Sequence, residues 1–144
     1  MIVSVVLLTL LTSTISTAPA AQPPEVSEKA ARTPAQQKIN SQLLYEIYRH
    51  RGEAPRRQTP QETTGVRIDA RGRALVDIRA EPTAALQTHI ARHGGVVLST
   101  SARDRSILAR VPLLKLESLA SDPAVLFVEP AADATTNRPP HARR

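Results

Sequence analysis

The chain has 144 residues, a formal net charge of +6, sixteen arginines among its 19 basic residues, 2% aromatic residues and no cysteine. A chain of this length holds one modest domain with appendages, the missing cysteines rule out disulfide staples, and the scarcity of aromatics argues against a base-stacking RNA platform. The basic residues are scattered rather than gathered into a run, which predicts a basic surface and not a nucleic-acid-binding arm.

Residues 1–20 read as a signal peptide. The apolar stretch from Ile2 to Leu11 is too short to span a bilayer comfortably, and Ala18-Pro19-Ala20 offers the small-x-small pattern of a cleavage point after Ala20. The mature chain is then expected to be secreted or periplasmic, with no stable membrane association. No Lys or Arg precedes the apolar run, which leaves an uncleaved anchor as the alternative.

Residues 21–35 mix Pro, Ala and charge without apolar period and read as a flexible leader. Over residues 36–51, Ile39, Leu43 and Ile47 recur every four residues with Leu44 and Tyr48 beside them, which predicts a separate amphipathic helix ended by Gly52. Residues 52–64 have linker character. A compact segment is expected over 65–131, followed by a flexible C-terminal tail, 132–144.

Within the compact segment the periods switch in order. Val66 and Ile68, the turn Asp69-Ala70-Arg71-Gly72, and the alternating Val76 and Ile78 predict a hairpin. A helix starts at Pro82, carries Leu86 and Ile90 on one face and stops at Gly94-Gly95. Two strand-like runs then flank the turn "SARDRS", with Ile107, Ala109 and Val111 on one face of the second. A Leu-rich helix from Pro112 to Asp122 follows, and "AVLFVEP" closes the segment as an apolar strand.

The order predicts an α+β fold: a ferredoxin-like βαββαβ sandwich, two helices on one face of a four-stranded antiparallel sheet. The covered face is expected to hold Val76, Ile78, Leu98, Ile107, Ala109 and Val111, under Leu86, Ile90, Leu116 and Leu119. The open face is expected to present Asp77, Arg79, Val97, Ser99, Leu108 and Arg110. The last strand is apolar on both sides, so it adds apolar surface to the open face in either register, as a protein-binding face requires. A module of about 60 to 70 residues buries only about 60% of its chain and is marginal alone, so a partner covering that face would stabilise it.

The stretch "LVDIRAEPTAALQTHIARHGGVVLSTSARDRSILARVPLLKLESLASDPAVLFVEPA" resembles the N-terminal propeptide of subtilisin-like serine proteases, the subtilase propeptide and inhibitor family. The match covers residues 74–131 and rests on the order and spacing of "LVDI", the "GG" after the first helix, "ILARVP" before a Leu-rich helix, and "LASDPAVLFVEP". The leader "KINSQLLYEIYRHRG" is similar to the leader of some large bacterial subtilases. The resemblance implies a module that assists folding of a subtilisin-like protease domain, inhibits it, and passes its tail through the active cleft. It implies docking through Leu108, Leu126, Phe127 and Val128, with Glu129 capping the N-termini of two protease helices. The tail residues implied to enter the cleft are Ala131, Ala132, Asp133, Ala134, Thr135, Thr136 and Asn137. Many relatives carry further acidic residues directly after the first, whereas Pro130 and Ala131 follow Glu129.

No stretch of the chain has the Asp-[Ser/Thr]-Gly, His-Gly-Thr or Gly-Thr-Ser-Met signature of the protease itself, so no catalytic residue is expected. The chain then reads as a detached prodomain acting in trans or a truncated precursor. His89 and His93 have the four-residue spacing of a zinc pair, but Ile90 stands where a general-base Glu would be and no third ligand is evident. A solvated helix end is the expectation, with no metal and no cofactor. The competing reading is a non-enzymatic basic domain for an acidic ligand or nucleic acid, supported by charge alone.

Overall fold

The structure is a computed structural model that describes residues 28–131. The expected signal peptide, residues 21–27 of the expected leader and the tail from Ala132 onward lie outside the described residues. Among the described residues no helix is long and apolar enough to cross a membrane.

The leader departs from expectation in a physically informative way. A short helix, α1 (Pro34–Gln37), starts at a capping box in which the Thr33 hydroxyl accepts from the Gln36 amide while Gln36 Oε1 accepts from the Thr33 amide at 3.0 Å. A second helix, α2 (Ser41–His50), starts at Asn40, whose side chain accepts from the Gln42 amide at 2.9 Å. The single helix expected over 36–51 is therefore broken at Lys38–Asn40. Lys38 is a turn residue at φ −84° and ψ 2°, and the backbone that follows runs parallel to the segment at Val128: Asn40 donates to Val128 O and Val128 donates to Lys38 O, both at 2.8 Å, with Ile39 bridged to Val128. Nor is α2 separate, since Leu43, Leu44, Ile47 and Tyr48 are fully buried in the same core as the sheet. Its C-terminus closes at Arg51 and at Gly52, whose φ of +68° is the left-handed conformation that glycine adopts without strain.

The expected linker folds back on α2. Arg57 lies 4.4 Å above the Tyr48 ring, and Arg49 donates to Pro60 O at 2.8 Å and to Glu62 O. The expected hairpin follows in shortened form. Ile68 bridges Ala74, and Asp69 Oδ1 accepts from the amides of Arg71 and Arg73 at 2.9 and 3.0 Å, an Asx turn completed by Gly72 at φ +71°.

The sheet comprises β1 (Arg73–Arg79), β2 (Val96–Ser101), β3 (Ser106–Pro112) and β4 (Phe127–Pro130), in the order β2-β3-β1-β4, with each neighbouring pair antiparallel. Helix α3 (Ala84–Arg92) joins β1 to β2, and a 3₁₀ turn at Leu113–Lys115 running into α4 (Leu116–Ala120) joins β3 to β4. The fold is thus α+β with a four-stranded antiparallel sheet and its helices in one layer. In β1, Ala74, Val76 and Ile78 are buried while Leu75 and Asp77 are half-buried; in β3, Ile107, Ala109 and Val111 alternate with Leu108 and Arg110 in the same way. Leu86, Ile90, Leu113, Leu116 and Leu119 close the core from the helices, and α2 lies in contact with the 3₁₀ turn and β4.

Three placements correct the expected faces. The register of β2 on β3 shifts between Val97 and Ser99, a bulge at Leu98. Val97 therefore sits opposite Ala109 and packs on the core, the reverse of its expected orientation, and Leu98, expected to be covered, is 48% exposed. Val128, expected to add to the open face, is opposite Ile78 and fully buried, because directly paired residues share a face of the sheet.

Candidate docking face

The uncovered side of the sheet is built by pairing. Asp77 of β1 lies opposite Leu108 on β3 and opposite Glu129 on β4, Leu75 lies opposite Arg110, and Arg79 lies opposite both Ser106 and Phe127. Leu75, Leu108 and Phe127 are half-buried, so each presents apolar surface to solvent. They surround a charged centre: Arg79 Nε and Nη2 lie 3.4 Å from Glu129 Oε1, and Asp77 Oδ1 is screened from solvent without a hydrogen-bond partner. An unpaired acceptor there is costly, and a donor brought by a partner would relieve that cost. Arg110 stands 3.9 Å from Asp69 Oδ2, at the hairpin end of the face. Arg73 holds that Asp69 carboxyl down to about 2 through its side-chain and backbone hydrogen bonds.

Of the residues expected to dock, Leu108, Phe127 and Glu129 are brought together on this face. Leu126 is 53% exposed just before β4, where its amide donates to Arg79 O, and Val128 belongs to the core. Ala131 continues β4 by donating to Leu75 O at 3.1 Å. The other tail residues named above lie outside the described residues. Leu75 was not anticipated as a member of the face, although its place in the alternation with Val76 and Ile78 implies it.

A second cluster lies on the helical side. His89 Nδ1 is 2.6 Å from Asp122 Oδ2, and His89 Nε2 is 2.8 Å from His93 Nε2, with the two rings stacked at 4.7 Å. These rings are thus engaged by neighbours rather than simply solvated. Burial, then His89, then Lys115 hold the His93 imidazole below its ordinary pKa. The Ala124 amide, partly offset by burial, and the His89 ring hold the Asp122 carboxyl low. The cluster borders a concavity of about 500 Å³. Among the described residues no group of three or more His, Cys, Asp or Glu side chains is arranged to hold a metal ion.

No protein-family model, no curated protein and no solved structure matches the chain.

Proposed function

We propose that this chain is an exported, propeptide-like module that docks on a subtilisin-like serine protease through the open face of its sheet and inhibits the enzyme or assists its folding. The observation that carries the reading is the one-sided sheet: helices cover one face, while the other carries the half-buried Leu75, Leu108 and Phe127 beside Glu129. The strand order and the two helical crossovers are compatible with a ferredoxin-like arrangement, in keeping with the propeptide resemblance. Apolar contacts desolvated at the centre of an interface supply most affinity, which assigns docking to Leu108 and Phe127. The tail beyond Ala131 then blocks the cleft, and Glu129 faces positive helix ends of the enzyme. Asp77 and Glu129 at the centre of the face disfavour a polyanion there.

The test measures binding and peptide turnover with a panel of bacterial subtilisin-like protease domains. The full chain should bind and inhibit. A chain ended at Pro130 should bind with modest loss but no longer inhibit, and Phe127→Ala and Glu129→Lys should weaken both together. A parent chain that neither binds nor inhibits any member of the panel would overturn the proposal as a trans-acting inhibitor.

A further inference from the structure

We propose that His89 and His93 form a binding site for a late first-row divalent metal ion, with Asp122 as the carboxylate that orients it. His89 lies in the last turn of α3 and His93 is its C-cap, so the four-residue spacing sets both rings on one side of the helix. Their Nε2 atoms converge to 2.8 Å. Two imidazole nitrogens ligating one ion at about 2.0–2.1 Å stand about 2.9 Å apart in square-planar and about 3.3 Å apart in tetrahedral geometry, so the rings need to part by about half an ångström or less. An ion then takes the place of the direct contact between the two ring nitrogens.

The independent observation is the outer carboxylate. Asp122 Oδ2 is 2.6 Å from His89 Nδ1, and the other carboxylate oxygen is fixed by the Ala124 amide at 2.8 Å. Accepting from Nδ1–H holds His89 in the tautomer whose Nε2 lone pair points toward His93, the orienting role carboxylates play behind metal-bound histidines. His93 joins as a ligand by carrying its proton on Nδ1 in place of Nε2. The adjoining concavity of about 500 Å³ leaves room for water to complete the coordination sphere.

The donors also set the selectivity. Two imidazole nitrogens beside Arg92 and Lys115 offer nothing to Ca²⁺ or Mg²⁺, which require several oxygens, whereas imidazole suits Cu²⁺, Ni²⁺ and Zn²⁺, with Cu²⁺ the tightest. With Ile90 between the two histidines in the helix, no general base accompanies the ion. The site is one that clamps the end of α3.

The test uses the full chain, free of any polyhistidine tag and stripped with chelator, titrated by calorimetry with Cu²⁺, Ni²⁺, Zn²⁺, Ca²⁺ and Mg²⁺. One ion per chain should bind, Cu²⁺ most tightly, and Ca²⁺ and Mg²⁺ should give no heat. Asp122→Asn should weaken binding about 10- to 100-fold. His89→Gln combined with His93→Gln should abolish it, whereas His50→Gln combined with His141→Gln should leave it intact. The Cu²⁺ paramagnetic resonance spectrum of the parent should show two nitrogen ligands, a readout independent of whether any variant folds. A spectrum without coupled nitrogen, or binding that survives loss of both histidines, would overturn the assignment.

Discussion

Gln36 and Glu117 are joined by a 2.6 Å hydrogen bond that ties α1 to α4, and Arg51, beyond the end of α2, holds the other oxygen of the same carboxylate. Burial disfavours the Glu117 anion, but the bonds from Arg51 and Gln36 together outweigh it and hold the carboxyl below its ordinary value. A lowered folded-state pKa contributes stability that is present above the unfolded carboxyl value and is lost as pH falls through the folded one. The melting temperature should therefore hold steady above about pH 5 and drop in acid, and Glu117→Gln should remove part of that drop. Calorimetric melting across a pH series checks this; a parent that melts higher in acid would contradict it.

The leader should behave as core. Leu44→Ala deletes a fully buried side chain of α2 and should cost about 2–5 kcal/mol in urea unfolding, in a single transition. A loss within about 0.5 kcal/mol, as at a surface position, would mean that α2 does not share the sheet's core.

Two glycines should respond in opposite ways. Gly72 has φ +71° with open space around its α-carbon, so Gly72→Asn, which tolerates left-handed backbone, should be nearly neutral. A side chain on Gly95 would meet Ile90 Cγ2 at 2.6 Å and the Ile90 carbonyl oxygen at 2.9 Å. Gly95→Ala should cost about 1–3 kcal/mol through overpacking against α3. Paired thermal melts would read out the contrast, and equal shifts would refute it.

Ile107 stands opposite Ile78 at the centre of the buried face. Burial of such a side chain contributes about 1.5–3 kcal/mol, and a carboxylate in its place must also lose its hydration. Ile107→Asp should abolish the folded circular-dichroism signature at neutral pH. A variant with the parent's spectrum and melting curve would show the strand facing the other way.

Where one period ran undisturbed, the sequence was legible. The alternation in "ALVDI" and "SILARV" and the spacing of Leu86 and Ile90 placed β1, β3 and α3 with their buried faces correct. The failures occur where a long-range contact overrides a local pattern. Ile39 fits the four-residue period of α2, yet its backbone is drawn out to meet Val128, and only Asn40, a capping residue followed by Ser41, signals the break. Leu98 fits a strand, but a bulge inserts one residue and inverts the two sides around it; no residue in "VVLSTS" marks that event. On the open face, alternation implied Leu108, whereas the choice between Leu126 and Phe127 and the pairing of Asp77 with Glu129 depend on a β4 register that local pattern does not determine.

The Ile39 bridge to Val128 also sets a schedule for the chain as it is made. Synthesis proceeds from the N-terminus, so α2 leaves the ribosome with Leu43, Leu44, Ile47 and Tyr48 uncovered, and the strand that completes their setting emerges only after β1, β2 and β3. Contacts between residues this distant in sequence close late, because the loop entropy must be met before the contact repays it. The nascent chain consequently carries an unmatched apolar helix until β4 is made. Its greatest exposure to aggregation falls just before residue 128 appears, and a stalled or shortened product lacking β4 would retain that exposed surface.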